Sequence, residues 1–319
     1  MISVAHLTKY YGSHKAVDDL SFTIEPGHIY GFLGPNGAGK STTMNILTGC
    51  LAATEGSVTI GGNDIFEEPL KAKKRIGYLP ELPPLYVDMT AKEYLRFVAR
   101  AKGLKGSSLK ASVEYACRAT GITDVASRLI KHLSKGYRQR VGIAQALLGD
   151  PEIIILDEPT VGLDPQQIIE IRELIRELGK KHTVILSTHI LPEVSAVCDR
   201  ILIIAKGRLI VNEDAEVLTR STALRVKIHA PEAQTALNAL NGPEDAQLIE
   251  SDGDLHTLRI PISGDIDALS RSIFRRVRES GLELSELAPE RTGLEEIFLR
   301  LTGGDDHSEI HTEKEAENA

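Results

Sequence analysis

The first two thirds of the chain alternate between short apolar runs and stretches in which apolar residues recur at helical spacing. The apolar runs predict short strands at 29–33, 76–79, 153–156 and 183–187. Helical spacing begins after a capping box at Thr90 and again after Asp164, where the amphipathic stretch continues to Gly179. Alternating strands and helices are typical of an α/β fold with a parallel sheet.

A glycine-rich stretch, Gly34–Thr42, follows the first of these strands and leads into a predicted helix. It meets every fixed position of the pattern G-x-x-x-x-G-K-[ST], in which backbone NH groups and the helix dipole bind phosphates. Lys40 is then expected to reach the β- and γ-phosphates, and the Ser41 hydroxyl to hold Mg²⁺. The context of strand, loop and helix therefore predicts a nucleotide site.

Two carboxylates, Asp157 and Glu158, end the most apolar strand. Alone, they would be interpreted as an acidic turn after a parallel strand. Beside a phosphate loop, Asp157 is expected to support Mg²⁺ directly or through water. Glu158 is expected to orient or to deprotonate the attacking water. The pair therefore predicts hydrolysis as well as binding.

Three further residues each have a structural and a functional interpretation. Tyr11 is either a packed ring in a turn or a platform for adenine. His189 is either a hydrogen-bonded structural residue after a strand or a contact to the γ-phosphate, which its position at the ligand-binding edge of an open α/β sheet favours. Asp164 precedes a proline, as helix caps often do, and capping is compatible with a functional role.

Composition argues against several other classes of protein. A net charge of −8 argues against a nucleic-acid partner, which would require clustered Lys and Arg. The three cysteines, Cys50, Cys117 and Cys198, form no C-x-x-C pair, so we expect neither disulfides nor a zinc site but a reducing compartment, by default the cytosol. No leader and no segment of membrane-spanning length is expected.

The stretch Leu133-Ser134-Lys135-Gly136-Tyr137 completes a series of motifs. With the phosphate loop, the acidic pair, Asp164 and His189, it resembles the ATP-binding subunits of ABC transporters over about residues 1–215. The resemblance implies a P-loop NTPase fold of ABC type with a helical subdomain at about 82–150. It implies ATP and Mg²⁺ as cofactors and ATP hydrolysis coupled to transport.

The resemblance also assigns individual roles. Catalysis falls to Glu158, His189 and Lys40, and magnesium binding to Ser41, Glu81 and Asp157. The residues expected to bind the nucleotide are Tyr11, Gly34, Asn36, Gly37, Gly39, Lys40, Ser41, Thr42, Ser134, Gly136 and Asp164.

The chain departs from the family pattern at two places. Glu81 stands where the family usually has Gln, and Lys135 and Tyr137 replace a Gly and the Gln of the signature L-S-G-G-Q. Ser134 and Gly136, which suit hydrogen bonding to a phosphate and close backbone approach, are retained. In the family, the signature of one subunit closes on ATP held by another. This chain carries one set of motifs, so the resemblance predicts a homodimer or a paired ATPase subunit.

The last third predicts a second domain at 216–302. Its apolar pattern gives the order βαββαβ, which matches a small ferredoxin-like α+β domain. Pro261 predicts that its third strand is an edge strand, and a final helix is expected after Thr292. This domain is expected to regulate the ATPase or to support dimerisation, and residues 303–319 to form an acidic, disordered tail.

The leading hypothesis is an ATPase subunit that powers a separately encoded membrane permease, most consistent with an exporter. Through that permease the chain would lie on the inner face of the cell membrane. The first alternative is a soluble ABC-type ATPase of translation or DNA repair, although these usually carry two motif sets or a long coiled-coil insertion. The second is a regulatory nucleotide-binding module without turnover, against which Glu158 and His189 argue.

Overall fold

The computed structural model of the chain describes residues 1–218, 223–240, 246–262, 264–290 and 298. They fall into two compact units, Met1–Ala215 and Glu216–Leu299. The final helix expected after Thr292 and the tail expected at 303–319 lie outside the described residues.

The strands of the first unit are β1 (Ile2–Tyr11), β2 (His14–Ile24), β3 (Ile29–Leu33), β4 (Glu55–Ile60), β5 (Asn63–Asp64), β6 (Ile76–Leu79), β7 (Ile153–Asp157), β8 (Thr183–Thr188), β9 (Arg200–Ala205) and β10 (Arg208–Asp214). Its helices are α1 (Lys40–Leu47), α2 (Pro69–Lys74), α3 (Ala91–Ala101), α4 (Gly106–Ala119), α5 (Lys135–Leu147), α6 (Pro165–Gly179) and α7 (Leu191–Val197). The short helix α8 (Ala215–Leu218) follows at the boundary between the units.

The central sheet has the order β10-β9-β3-β8-β7-β6. The strands from β9 to β6 are parallel, and β10 pairs antiparallel with β9. Every residue of β3, β7 and β8 is buried, as expected where helices or a second sheet cover both faces. Parallel strands end at the same edge, so the segments after β3, β6, β7 and β8 converge there.

A second, antiparallel sheet of order β2-β1-β4-β5 packs against the phosphate-loop side of the unit. Its apolar residues Ile2, Leu20 and Ile60 belong to the same buried cluster as Phe32 of β3 and Met44 of α1. The strand β2, in which Leu20, Phe22 and Ile24 alternate with polar residues, is one edge of this sheet.

The helices α3, α4 and α5 lie between β6 and β7 in the chain and form the predicted helical subdomain. Thr90 closes a capping box with Glu93 at the start of α3, as the sequence predicts. The α/β fold with a parallel sheet and a helical subdomain is therefore confirmed for this unit.

The second unit contains β11 (Ala223–His229), α9 (Ala233–Leu240), β12 (Gln247–Asp252), β13 (Leu255–Pro261), α10 (Ile266–Glu279) and β14 (Glu283–Glu290). The strands form an antiparallel sheet of order β12-β13-β11-β14 around its own buried core, which includes Val226, Leu258 and Ile273. This order and the succession βαββαβ confirm the ferredoxin-like arrangement.

The expectation of an edge strand at Pro261 is wrong. β13 lies between β12 and β11, so it is a central strand. Pro261 is its last residue and pairs with Ala223 of β11, whereas the pairing with β12 ends at Arg259. The proline is tolerated because β12 does not reach far enough to require a hydrogen bond from its nitrogen.

Candidate functional site

The phosphate loop connects the buried strand β3 to α1 and has the backbone that its glycines predict. Gly39 precedes α1 with φ +99°, a left-handed conformation that favours glycine. A Cβ atom there would clash with the carbonyl of Ala16, and one on Gly34 would lie 2.5 Å from the carbonyl of Ile204. Both positions therefore require glycine for close packing, and Gly39 requires it for its conformation as well.

Lys40 is enclosed by the loop that carries it. Its Nζ donates hydrogen bonds to the carbonyl oxygens of Gly34 at 2.8 Å and Pro35 at 3.3 Å. Burial lowers the pKa of Lys40, and the negative charges of Glu158, Asp157 and Glu81 act in the opposite direction. The ammonium group is therefore held among the predicted acidic residues of the site.

Asp157, at the end of β7, is a buried carboxylate with spare acceptor capacity. It is 2% exposed, and its Oδ1 has no hydrogen-bond partner among the described residues. Burial raises its pKa, while the nearby hydroxyls of Ser187 and Ser41 lower it. An unpartnered buried carboxylate oxygen beside the first turn of α1 is suited to a cation.

Glu158 is held in a strained backbone conformation by the neighbouring strand. It has φ +47°, which costs about 1 kcal/mol or more for a residue other than glycine. Its backbone N donates to the carbonyl of Ser187 at 2.9 Å, which fixes this turn. The carboxylate is buried, and its Oε2 has no partner in the described part of the chain.

Glu158 and His189 contact each other. The Nδ1 atom of His189 lies 2.9 Å from Oε1 of Glu158, and with the carboxylate ionised Nδ1 is the donor. The imidazole is 44% exposed, whereas the carboxylate is 9% exposed. The His189 imidazole therefore faces the open side of the site, and the Glu158 carboxylate lies in its buried part.

One cavity of about 490 Å³ joins most of these groups. Tyr11, residues of the phosphate loop, Glu81, Glu158 and His189 all line it. Three further lining residues, His14, Ala16 and Val161, are not indicated by the motifs. His14 could have been predicted from the sequence by recognising a β-hairpin, because it pairs with Tyr11 across the turn that starts at Gly12.

A second cavity, of about 540 Å³, contains the signature residues instead. Ser134, Gly136 and Asp164 line it, and none of them lines the first cavity. Ser134 Oγ accepts from the backbone N of Tyr137 at 3.3 Å, and Asp164 Oδ1 from that of Gln167 at 2.9 Å. Each caps the helix that follows and is also exposed to the cavity, so both interpretations of Asp164 fit the structure.

The two replaced signature positions face different neighbours. The Nζ of Lys135 lies against Gly162, in the segment that joins Glu158 to Asp164. Tyr137 lines the second cavity with Ser134 and Gly136. The substitutions therefore leave the helix start intact, since Ser134 still caps α5.

Comparison with known proteins identifies this arrangement. The sequence model of the family described as "ABC transporter" matches residues 17–161. The chain is 33% identical over 311 residues to the bacitracin transport ATP-binding protein of Bacillus licheniformis, covering 95% of this chain and 98% of that protein. The chain belongs to the ABC transporter family as an ATP-binding subunit. It thus binds ATP and is an ATP hydrolase, as its motifs predict.

Two further similarities extend the comparison. The Nod factor export ATP-binding protein I of Ralstonia nicotianae is 32% identical, over 95% of this chain and 94% of that protein. A solved dimeric ATP-binding cassette in a post-hydrolysis state, bound to ADP and Pi, is 26% identical with a TM-score of 0.61, covering 67% of this chain and 99% of that chain. These relatives favour the transporter subunit over the soluble alternative, and the ATPase over a module without turnover.

The ABC subunit has no membrane-spanning element in its described part. Among residues 1–218, 223–240, 246–262, 264–290 and 298, no helix combines the length and the apolar character needed to cross a bilayer. The three cysteines are free thiols, with Cys117 and Cys198 buried.

Proposed function

We propose that two copies of this chain, or this chain and a paired ATPase subunit, close on two molecules of Mg²⁺-ATP and power a separately encoded export permease. The observation that carries the proposal is the Glu158–His189 pair at 2.9 Å, on the wall of the cavity that the phosphate loop forms. A binding module would not need a buried carboxylate and an imidazole at that place.

The nucleotide is proposed to lie along the first cavity. The exposed ring of Tyr11 stacks on adenine at one end. Backbone NH groups of the segment Gly34–Thr42, with Asn36, Gly37 and Gly39 at the turns, bind the phosphates at the start of α1. Lys40, already directed at the loop, contacts the β- and γ-phosphates.

The donor set fits a magnesium ion. The unpartnered Oδ1 of Asp157 and the Ser41 hydroxyl lie near one another, and Glu81 lines the same cavity. Among the described residues, no three His, Cys, Asp or Glu side chains converge to hold a metal alone, which agrees with a Mg²⁺ ion bound by few protein oxygens, water and phosphates. When bound, the ion would neutralise charge on the phosphates.

Hydrolysis is assigned to the pair. Glu158 accepts the hydrogen bond of the attacking water and receives its proton as the water oxygen bonds to the γ-phosphorus. The bond between that phosphorus and the β–γ bridging oxygen breaks, and the electron pair leaves on ADP. His189, oriented through Nδ1 by Glu158, contacts the γ-phosphate with its other ring nitrogen.

The separation of the two cavities supports a dimer. Ser134 and Gly136 do not line the cavity of the phosphate loop in their own chain, so they are available to a second chain. The solved dimeric cassette bound to ADP and Pi is an example of such pairing in a relative. We infer that each site takes its phosphate loop from one chain and its signature from the other.

A surface for the permease is proposed on the helical subdomain. Leu82, Tyr86, Val87 and Phe97, here termed the aromatic patch, are exposed, with the rings of Tyr86 and Phe97 5.3 Å apart. Exposed apolar clusters of this kind are typical of protein interfaces. Binding of the permease there would hold the chain on the inner face of the membrane. Export is favoured because the Nod factor relative is named for it.

The domain at 216–302 is proposed to regulate the ATPase or to support dimerisation. Its described part has a separate buried core, which supports an independent module. Removing residues after Leu218 should then change either the ATPase rate or the dimerisation constant, and an unchanged value of both would exclude these roles.

The test of the proposed function is Glu158→Gln in the full chain. We expect kcat for ATP hydrolysis to fall by about a hundredfold or more, because the proton acceptor is lost, while ATP binding persists and the dimer accumulates. The matched control is Glu173→Gln, a carboxylate exposed on α6. Equal rates for Glu158→Gln and the wild type would exclude the catalytic role of Glu158.

A further inference from the structure

Glu193 is a buried carboxylate to which the proposed hydrolysis assigns no role. It lies in the first turn of α7 and is 1% exposed. A buried carboxylate needs hydrogen-bond donors to offset the loss of water. Two hydroxyls supply them: Oε1 accepts from Thr160 Oγ1 at 2.5 Å, and Oε2 accepts from Thr188 Oγ1 at 3.1 Å.

The two donors belong to the two segments that carry the catalytic pair. Thr160 lies two residues after Glu158, on the segment that leaves β7. Thr188 is the last residue of β8 and immediately precedes His189. Glu193 therefore connects the backbone that holds Glu158 to the backbone that holds His189, from behind the cavity.

Both ends of this connection are constrained. Thr160 and Thr188 are buried, and the Thr188 hydroxyl also accepts from the backbone N of Ile190 at 3.1 Å. That second bond leaves the Thr188 proton directed at Glu193. Since the backbone N of Glu193 donates to the carbonyl of Ile190 at 3.1 Å, the carboxylate is fixed relative to the same turn.

A carboxylate suits this position better than an amide. Each of its oxygens accepts one hydroxyl proton, and it carries no proton of its own. A glutamine would offer one acceptor oxygen and an NH₂ group, so one of the two threonines would lose its acceptor. The hydrogen bonds therefore require Glu at this position, although Gln has the same shape.

We propose that Glu193 is a positioning residue that fixes the 2.9 Å contact between Glu158 and His189 by binding Thr160 and Thr188 together. The inference rests on the catalytic roles proposed for that pair. Displacing a reacting group by about 1 Å can cost about a hundredfold in rate, even when the change lies outside the chemistry. Glu193 lines neither cavity described above, so its effect is transmitted through the two threonines.

The first experiment measures steady-state ATP hydrolysis by full-length Glu193→Gln. We expect kcat per nucleotide-binding site to fall about ten- to a hundredfold. The KM for ATP should stay within about twofold, because Glu193 does not line the cavity that Tyr11, Lys40 and the phosphate loop form. A purely structural role would lower the amount of folded protein and leave kcat per binding site unchanged.

A second pair of variants does not depend on Glu193 itself. Thr160→Val removes one donor with almost no change of shape and should lower kcat, whereas Thr160→Ser keeps the hydroxyl and should retain it. Combining Thr160→Val with Glu193→Gln should cost less than the product of the two single effects, because each substitution alone already breaks the connection between Thr160 and Thr188. Glu173→Gln again serves as the control for loss of a surface carboxylate.

The outcomes separate this inference from the proposed function. If Glu158→Gln abolishes hydrolysis while Glu193→Gln and Thr160→Val keep the wild-type kcat per site, the positioning role is overturned and the catalytic pair stands. If Glu158→Gln leaves kcat unchanged, the proposed function fails first. Multiplicative effects of Thr160→Val and Glu193→Gln would also overturn the inference.

Discussion

The ammonium group of Lys102 donates a hydrogen bond to the backbone carbonyl of Leu148, 2.9 Å away, and so joins the end of α3 to the end of α5. The carbonyls of Gln145 and Ala146 lie 3.5 Å from the same Nζ. The last carbonyls of a helix have no partner within it, and a cation there also interacts favourably with the helix dipole. The helix that begins at Ser134 is therefore anchored at its opposite end by Lys102.

This contact predicts a pH dependence of stability. Lys102 is exposed as a whole residue, but burial of its ammonium group lowers its pKa from 10.5 to about 8. Between these two values the unfolded chain binds more protons than the folded one, so the free energy of unfolding should rise with pH over that window. Urea unfolding of the wild type and of Lys102→Met should show this rise only in the wild type. Parallel pH profiles would contradict it.

Ser134 and Thr90 cap their helices in the same way, and this separates stability from function. Thr90 Oγ1 accepts from the backbone N of Glu93 at 3.2 Å, and Ser134 Oγ accepts from that of Tyr137 at 3.3 Å. Either substitution by Ala should cost about 1 kcal/mol of unfolding free energy. Only Ser134→Ala should also lower ATP hydrolysis, by about tenfold or more, because it removes a phosphate contact to the second chain. Unfolding curves and ATPase assays on both variants provide the comparison.

The aromatic patch predicts loss of permease binding without loss of hydrolysis. Phe97→Ala removes an exposed ring that packs on Tyr86, and should weaken binding to the permease at least about tenfold. The ATPase rate of the isolated chain should stay within about twofold, since the patch does not line the nucleotide cavity. Phe66→Ala, another exposed ring outside the patch, is the control. Equal retention of the permease by both variants would count against the docking surface.

The elements that could be predicted from the sequence are those whose signal is local. The run Ile153–Leu156 is buried on both faces, so its continuous apolar character identified a strand without knowledge of its neighbours. The side chains of Thr90 and Asp164 cap helices by accepting from backbone N atoms only three residues later, so a short stretch of sequence contains both partners. The same holds for the left-handed backbone at Gly37 and Gly39 of the phosphate loop, which glycine favours.

The features that escaped the sequence depend on distant partners. The edge position expected for Pro261 is wrong because β12 pairs with the other side of β13, and the proline is tolerated because that pairing stops at Arg259. Neither the order of strands nor the length of a neighbouring strand is encoded next to the proline. Glu193 gave no signal either, because its partner Thr160 lies 33 positions earlier and becomes adjacent only when β7 and β8 pair. The spacing of apolar residues can indicate that such a residue is buried, but it does not indicate which residue it binds.

The separation of Ser134 from the phosphate-loop cavity has a genetic consequence. If each ATP site draws its halves from two chains, a Glu158→Gln chain and a Ser134→Ala chain are each defective at both sites as homodimers, yet their heterodimer contains one site with every group intact. The other site of that heterodimer carries both defects. Mixing the two defective proteins, or expressing both alleles in one cell, should therefore raise ATP hydrolysis above the rate of either protein alone. Failure of the mixture to recover activity, with heterodimers shown to form, would mean that each chain completes its own site.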